Sequence, residues 1–178
     1  IVGVRPIYAQ FLQPTEKKMD VDEKVTPAWV LVVDEPEEEL RESIVDYTKD
    51  ELGGKLRKER NGLLQAEEVK VPSITSYTGD LKVLLSRVQE ETQVAVAFMP
   101  GYDISLNSDD YPDEMERLRQ FTRSMIKYHM VNELQATIKD DEKRLKDLEK
   151  DHKRNEREYR RLDKSTARMQ KKINSDKT

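Results

Sequence analysis

From residue 113 to residue 178 the chain contains neither glycine nor proline. These two residues are the ones that most often interrupt a helix, so their absence over this distance favours one continuous helix. Pro112 suits the first turn of that helix, and Asp109 or Asp110 is available as its N-terminal cap. The pattern predicts a helical coiled-coil stem over residues 131–178 and confines the globular fold to the residues before it.

Composition agrees with this division. Hydrophobic residues make up 35% of the chain and charged residues 38%, whereas typical globular domains have about 45–50% and about 25%. Residues 139–178 contain 15 Lys and Arg against 10 Asp and Glu, a balance of +5, so the net charge of -4 leaves -9 for residues 1–138. The absence of cysteine excludes disulfides and Cys-based metal sites.

The residues before the stem divide into an arm and a head. Residues 1–27 contain three prolines and are predicted to form an extended N-terminal arm, part of which could add an edge strand. Residues 28–130 are predicted to form an α+β head domain. Its first segment, residues 28–34 (AWVLVVD), is almost wholly apolar and β-branched, which is typical of a strand buried on both faces near the centre of a sheet.

A helix is predicted to follow this strand, with Asp34 as its N-terminal cap. Leu40, Ile44 and Tyr47 recur at helical spacing and would form its apolar stripe. The Gly-Gly pair at residues 53–54 can supply the left-handed residue that commonly ends a helix.

Two hairpins are predicted next. Asn61-Gly62 is typical of a type I′ turn, which needs positive φ at both central residues, and it would join a short charged strand to residues 63–71. Residues 80–89 fit both helical and strand periodicity, whereas residues 92–101 indicate a strand. We interpret both segments as strands joined by a loop at residues 90–92. The head is therefore α+β, with a small antiparallel or mixed sheet and packed helices.

The passage from LKVLLSRVQEETQVAVAFMPG through Phe121 to KRLKDLEKD resembles a set of uncharacterised exported proteins of Bacteroidota. In those proteins a hairpin ending in Phe and Gly leads to a helix and a Lys- and Glu-rich coil. The resemblance covers roughly the second half of the chain and implies an α+β head with a C-terminal coiled-coil helix. It also implies a periplasmic or cell-envelope location, with a cytoplasmic location as the alternative, and it implies no activity.

Apolar residues recur along the stem with the heptad spacing of a coiled coil. With Val131 at position a, nine of the thirteen a and d positions up to residue 173 are apolar or aromatic. A lone solvated helix does not need this pattern, so it predicts a surface, here called the seam, that binds a partner helix. The seam residues are Val131, Leu134, Ile138, Leu145, Leu148, Tyr159, Leu162, Met169 and Ile173.

A parallel, in-register homodimer is disfavoured because Asp141, at a d position, would meet its own carboxylate. His152 and Asn155 would also meet their own copies. The flanking contacts between the copies would be one attractive pair and two repulsive pairs. In that order they are Arg144 with Glu149, Asp151 with Glu156, and Glu158 with Asp163.

Local charge pairs favour a single extended helix that offers its seam to another protein. Acidic residues precede basic residues at i, i+4 spacing, and each such pair contributes about 0.2–0.5 kcal/mol to helix stability. The pairs are Glu142 with Lys146, Glu149 with Lys153, and Glu156 with Arg160.

Opposite the seam, basic residues follow one another at alternating spacings of four and three, and we call this row the basic stripe. One interpretation is the solvated outer face of a coiled coil, where charge is the default. The other is a track for an anion such as a phosphate backbone or lipid headgroups. The stripe comprises Lys150, Arg154, Arg157, Arg161, Lys164, Arg168 and Lys171.

Other candidate sites are rejected on their residues. Residues 103–114 match the ligand spacing of a calcium loop, but Ser108 occupies the position that needs glycine, and an acidic helix cap accounts for the same residues. His129 and His152 are too far apart on one helix to share a metal, and each is predicted to be a semi-buried seam or packing residue. Met115, Leu118, Phe121, Met125, Tyr128 and Met130 are predicted to pack the base of the helix rather than to form a ligand groove. No catalytic residue, metal ligand or cofactor is expected.

These features predict a non-enzymatic structural or adaptor subunit of a larger protein assembly, which docks partners through the head and the seam. Its expected partner is another protein that contributes a helix, and no segment is apolar enough over 18 residues to span a membrane. The alternative is an anion-binding module that uses the basic stripe on nucleic acid or anionic lipid.

Overall fold

The computed structural model describes residues 13–21, 24–52, 56–101 and 104–175. Within these residues, six strands form one sheet and two α-helices accompany them, with a short 3-10 turn at Arg60–Gly62. The strands are β1 (Thr15–Val21), β2 (Lys24–Val33), β3 (Arg57–Lys58), β4 (Leu63–Lys70), β5 (Thr78–Val88) and β6 (Glu91–Met99); the helices are α1 (Glu37–Leu52) and α2 (Pro112–Ser175).

The strand order in the sheet is β1-β2-β6-β5-β4-β3, and every neighbouring pair is antiparallel. The predicted α+β class with a long C-terminal helix is confirmed, and the sheet is antiparallel rather than mixed. An antiparallel sheet needs only short turns between consecutive strands, which agrees with the close spacing of the strands along this sequence.

The predicted arm contributes more to the sheet than expected. Residues 1–12 lie outside the described residues, but Thr15–Val21 is the edge strand β1, and β2 already begins at Lys24. Pro27 lies inside β2, opposite Lys18 of β1. Proline is tolerated there because β2 pairs with its other neighbour, β6, only from Trp29 onward, so no ladder hydrogen bond on that side requires an N–H from Pro27.

The strand predicted to lie near the centre of the sheet is buried on both faces. In β2, Val30 is 2% exposed and its neighbour Leu31, which faces the opposite side, is 4% exposed. Leu31 joins the large core cluster, whereas Val30 packs in a smaller cluster with Ala28, Ala95 and Ala97 on the other face. Met19 and Leu84 pack against this second cluster.

The Asn-Gly hairpin forms as predicted. Asn61 has φ 56° and Gly62 has φ 79°, and β3 pairs with β4 across the turn. A Cβ built on Gly62 would lie 2.2 Å from the carbonyl oxygen of Leu85, so glycine is required by both backbone conformation and space.

Residues 80–89 belong to a strand and the turn that follows it, which settles the ambiguity in their periodicity. Leu81, Val83 and Leu85 are buried in the large core, and β5 continues to Val88. The turn to β6 lies at Gln89 and the next residue, not at residues 90–92 as predicted, and Gln89 takes a positive φ of 61°. A two-residue loop keeps the β5 and β6 ladder in register up to the turn.

The predicted caps of both helices are wrong. The first helical bond of α1 runs from Leu40 N to the carbonyl oxygen of Pro36, so the helix starts from Pro36 rather than Asp34. In α2 the N–H of Met115 donates to Tyr111 O at 2.9 Å. Asp109 and Asp110 instead donate their backbone N–H groups to Oδ1 of Asn107, at 3.0 and 2.8 Å, and shape the turn that leads into the helix.

The base of α2 packs into the head as predicted. Met115, Leu118, Phe121 and Met125 are buried in the large core cluster with the apolar face of α1. The indole N–H of Trp29 donates to the carbonyl oxygen of Met115 at 2.8 Å and anchors the first turn of α2 on the sheet. The alternative, a ligand groove, is excluded for these four residues because other core residues surround their side chains.

Aromatic contacts add to the packing of α1 on α2. The ring of Tyr47 lies 5.5 Å from that of Phe121 and 5.6 Å from that of Tyr128, centroid to centroid, in tilted arrangements that aromatic pairs favour. Burial raises the pKa of Tyr47, and the charge of Glu51 acts in the same direction. Tyr47, which was predicted on the apolar stripe of α1, thus contributes to the packing of α1 on α2 through its two ring contacts.

The chain divides into two compact units, Ile1–Val131 and Asn132–Thr178. Because the described core lies wholly in the first unit, we expect residues 1–130 expressed alone to fold cooperatively. The measurement is thermal unfolding together with an amide NMR spectrum. A fragment without a thermal transition and with collapsed amide dispersion would show that the division is wrong.

Candidate functional site

The seam residues are exposed in the structure. All nine lie on α2, and their exposed fractions run from 39% at Val131 to 71% at Tyr159. In the second unit every residue from 134 to 175 is exposed. Regularly spaced large apolar side chains that are exposed to solvent make this face a candidate interaction surface.

The polar seam positions are exposed as well. Asp141, His152 and Asn155 lie on the same helical face as the apolar residues, at the d, a and d positions that the heptad assigns. His129, by contrast, is only 1% exposed. The prediction that His129 is a packing residue is confirmed.

The basic stripe is exposed along its whole length. The ammonium group of Lys150 lies 2.9 Å from Asp147, and this hydrogen bond raises the pKa of Lys150. Nε of Arg154 lies 3.7 Å from the carboxylate of Glu158. Such fully exposed pairs are weak, so the stripe keeps its positive charge available to an anion in solvent.

The intrahelical pairs differ from those predicted. Glu142, Glu149 and Glu156 were expected to pair with the basic residues four positions later, but among the described residues they form no ion pair within 4.0 Å. The side chains are long and solvated, so several rotamers have similar energy. Their carboxylates remain in solvent beside the seam.

A partly buried polar contact that the sequence did not suggest links α1 to α2 in the first unit. The hydroxyl oxygen of Ser43 lies 2.8 Å from Nδ1 of His129. A carboxylate oxygen of Glu35 lies within 4.8 Å of a ring nitrogen of the same histidine. Ser43 and His129 are 86 positions apart in the chain, so no local motif could have paired them.

Serine, histidine and a carboxylate in proximity raise the question of nucleophilic catalysis. In this cluster His129 is enclosed, and Ser43 projects from the middle of α1 rather than from a turn that would expose it to a substrate. We therefore interpret the contact as structural: the hydrogen bond between Ser43 and His129 offsets the free-energy cost of burying the histidine between α1 and α2.

A groove of about 590 Å³ lies at the end of the sheet near the bulge in β4. Its lining includes Arg57, Glu67, Glu68 and Asp80. Glu68 has φ 51°, and its backbone N–H donates to Oδ1 of Asp80 at 2.9 Å. Carboxylates from β4 and β5 therefore line the groove, and that of Asp80 already accepts a hydrogen bond from the strained backbone at Glu68.

The segment that has the ligand spacing of a calcium loop is tied to the sheet. Asp103 lies outside the described residues, and Asn107 is engaged in the turn before α2. The backbone N–H of Ser108 donates to a carboxylate oxygen of Glu16 at 3.3 Å, and its hydroxyl group bonds to the other oxygen. The contacts of Ser108 with Glu16 attach the loop to β1, and Asn107 stabilises the turn before α2.

Among the described residues, no helix is both long and apolar enough to cross a membrane. Comparison of the chain with protein-family models, with curated proteins and with solved structures gives no match in any of the three. The seam of α2 is therefore the candidate functional site on the strength of its own geometry.

Proposed function

We propose that this protein is a non-enzymatic structural or adaptor subunit of a larger protein assembly, and that its seam binds a helix of another protein. The observation that carries the proposal is the set of nine exposed apolar side chains on α2. Burial of a large apolar side chain is worth about 1.5–3 kcal/mol, so pairing along even part of the seam offsets the entropy lost on association. The first unit supplies a folded base on which a further partner docks.

A coiled-coil pairing fits this surface better than a flat contact. The seam keeps its heptad spacing from residue 131 to residue 173, and knobs-into-holes packing requires that regularity. Asp141 and the repulsive flanking pairs, Asp151 with Glu156 and Glu158 with Asp163, oppose a parallel copy of the same chain. A different protein is the better occupant.

A second candidate function is anion binding by the basic stripe, on nucleic acid or anionic lipid. The observation in its favour is the exposure of all seven basic residues on one face. Phosphate binding would weaken steeply as salt rises, because each neutralised phosphate releases counterions. Helix pairing through apolar residues would depend on salt far less, so a salt titration separates the two functions.

We place the protein in the periplasm or cell envelope, with the cytoplasm as the alternative. The support is the resemblance of the β5-β6 hairpin and the Lys- and Glu-rich helix to exported Bacteroidota proteins. Fractionation of cells of the native source, followed by immunodetection, decides between the two locations.

The experiment that tests the adaptor function compares seam and stripe variants. We expect the chain alone to be monomeric or only weakly self-associating in sedimentation at micromolar concentration. Used as bait in an extract of its native source, it should retain a protein partner. The double substitution Leu145→Asp and Leu148→Asp should remove most of the retained partner, because each leucine loses about 1.5–3 kcal/mol of burial. Neutralisation by Arg157→Gln and Arg161→Gln should matter little, since exposed charges contribute about 0–1 kcal/mol.

The opposite pattern would reject the proposal. Loss of partner through the arginine changes, with the leucine changes silent, would favour the anion-binding function. A tight homodimer in sedimentation would contradict the choice of a different protein as the occupant of the seam.

A further inference from the structure

One side of the seam carries a column of like charge. Position e of four successive heptads is always acidic, and we call this column the acidic flank. Its residues are exposed, and none has an ion-pair partner within 4.0 Å among the described residues. The acidic flank comprises Glu142, Glu149, Glu156 and Asp163.

The acidic flank also opposes an antiparallel copy of the chain. In antiparallel coiled coils, e positions face e positions, so the acidic flank would meet itself. In the register with full overlap, Glu142 would face Asp163 and Glu149 would face Glu156. The parallel arrangement already has two repulsive pairs. Like charges beside the seam therefore disfavour a homodimer in both the parallel and the antiparallel orientation.

The polar positions inside the seam specify what an occupant needs. Asp141 would lie in the contact once a helix covers the seam, and a buried carboxylate is tolerated only with a cationic or hydrogen-bonding partner. His152 at position a and Asn155 at position d form a second polar layer, two heptads after Asp141. An occupant needs hydrogen-bonding side chains opposite this layer. Leu145 and Leu148 lie between these polar layers and set the apolar part of the contact.

We propose that the seam binds a helix of a different protein whose own apolar seam is bordered by Lys or Arg against the acidic flank and contains a Lys or Arg that faces Asp141. This inference rests on the proposed adaptor function and names the chemistry of its partner. Charge complementarity determines which helix is accepted, while the apolar residues supply most of the affinity.

Two matched synthetic peptides test the partner's chemistry on the full chain. Both have leucine at a and d over the heptads that match residues 134–169, with one lysine placed to face Asp141. The first peptide carries lysine at e and g, and the second carries glutamate there, so each repels its own copies equally. Binding is measured by fluorescence anisotropy of the labelled peptide at about 150 mM salt, where distant charges are screened.

We expect the lysine peptide to bind the chain roughly tenfold or more tightly than the glutamate peptide, because the contacts of the four acidic-flank residues change from attractive to repulsive. The contacts of Asp151 and Glu158 on the other side of the seam change in the same direction, and only that of Arg144 changes in the opposite direction. The quadruple substitution Glu142→Lys, Glu149→Lys, Glu156→Lys and Asp163→Lys should reverse that preference, because only Asp151 and Glu158 then remain as acidic residues at the e and g positions between residues 142 and 163. The neutral substitution Leu145→Gln with Leu148→Gln should weaken the lysine peptide roughly tenfold or more, since it removes apolar burial without adding charge.

Each other outcome has a distinct meaning. Equal affinity for the two peptides, with loss in the leucine variant, would overturn the charge inference and leave the seam as a docking site. Binding of the lysine peptide that the leucine variant does not weaken would overturn both, because the peptide would then be held by acidic charge alone. Failure of both peptides to bind would overturn the partner chemistry, while the retained-partner experiment would still decide the adaptor function.

Discussion

Replacement of Gly79 by alanine is expected to destabilise the first unit by about 3 kcal/mol. A Cβ at this position would lie 2.3 Å from the carbonyl oxygen of Met99 and 2.8 Å from both Cα of Pro100 and a ring carbon of Phe98. Two of these atoms belong to the backbone of the chain next to β5, so no side-chain rotation relieves the clash. The strands would have to separate, and the ladder between β5 and β6 would weaken.

Denaturant unfolding followed by the fluorescence of Trp29 measures the loss in free energy of unfolding. In thermal unfolding, we expect the melting temperature to fall by roughly 10 °C. Gly101→Ala is the matched control. The nearest atom to a Cβ there is Cδ1 of Ile104, at 3.8 Å, which is an ordinary contact, so stability should change by less than about 0.5 kcal/mol. Equal stability of the two variants would contradict the close approach of Met99 to β5.

The sequence was sufficient for much of the fold because its strongest patterns are local. The β-branched run of β2, the Asn61-Gly62 turn and the glycine- and proline-free helix each depend on residues within a few positions of one another. The caps were misassigned for the opposite reason. Asp34 has the right chemistry for a cap, but the path of the chain places Pro36 at the first helical bond.

Contacts between distant segments were beyond the reach of periodicity. Residues 80–89 fit two periods, and only pairing with β4 and β6 determines that they form a strand. The contact of Ser43 with His129 and that of Trp29 with Met115 each join residues 86 positions apart. The seam was visible in the sequence because all its residues lie on one helix, so the heptad alone determines which of them share a face.

Leucine-to-alanine substitutions at two positions of α2 test the difference between a core and an unoccupied seam. Leu118 is fully buried, at 0% exposure, whereas Leu162 is 62% exposed. Leu118→Ala should lower the free energy of unfolding of the first unit by about 3 kcal/mol, because it removes apolar burial and leaves a cavity among core residues.

Leu162→Ala is the matched control, since it removes the same atoms from the same helix and changes helix propensity equally. In the chain alone it should leave the unfolding transition of Trp29 within about 0.5 kcal/mol of the parent. A large effect of Leu162→Ala in the chain alone would mean that its side chain is already covered, as in a self-associated form, and would contradict the unoccupied seam. When a partner helix covers the seam, Leu162 becomes buried, and its replacement by alanine should then weaken the complex because apolar burial is lost. Comparison of one substitution in the free and bound chain therefore measures what the seam contributes to assembly rather than to folding.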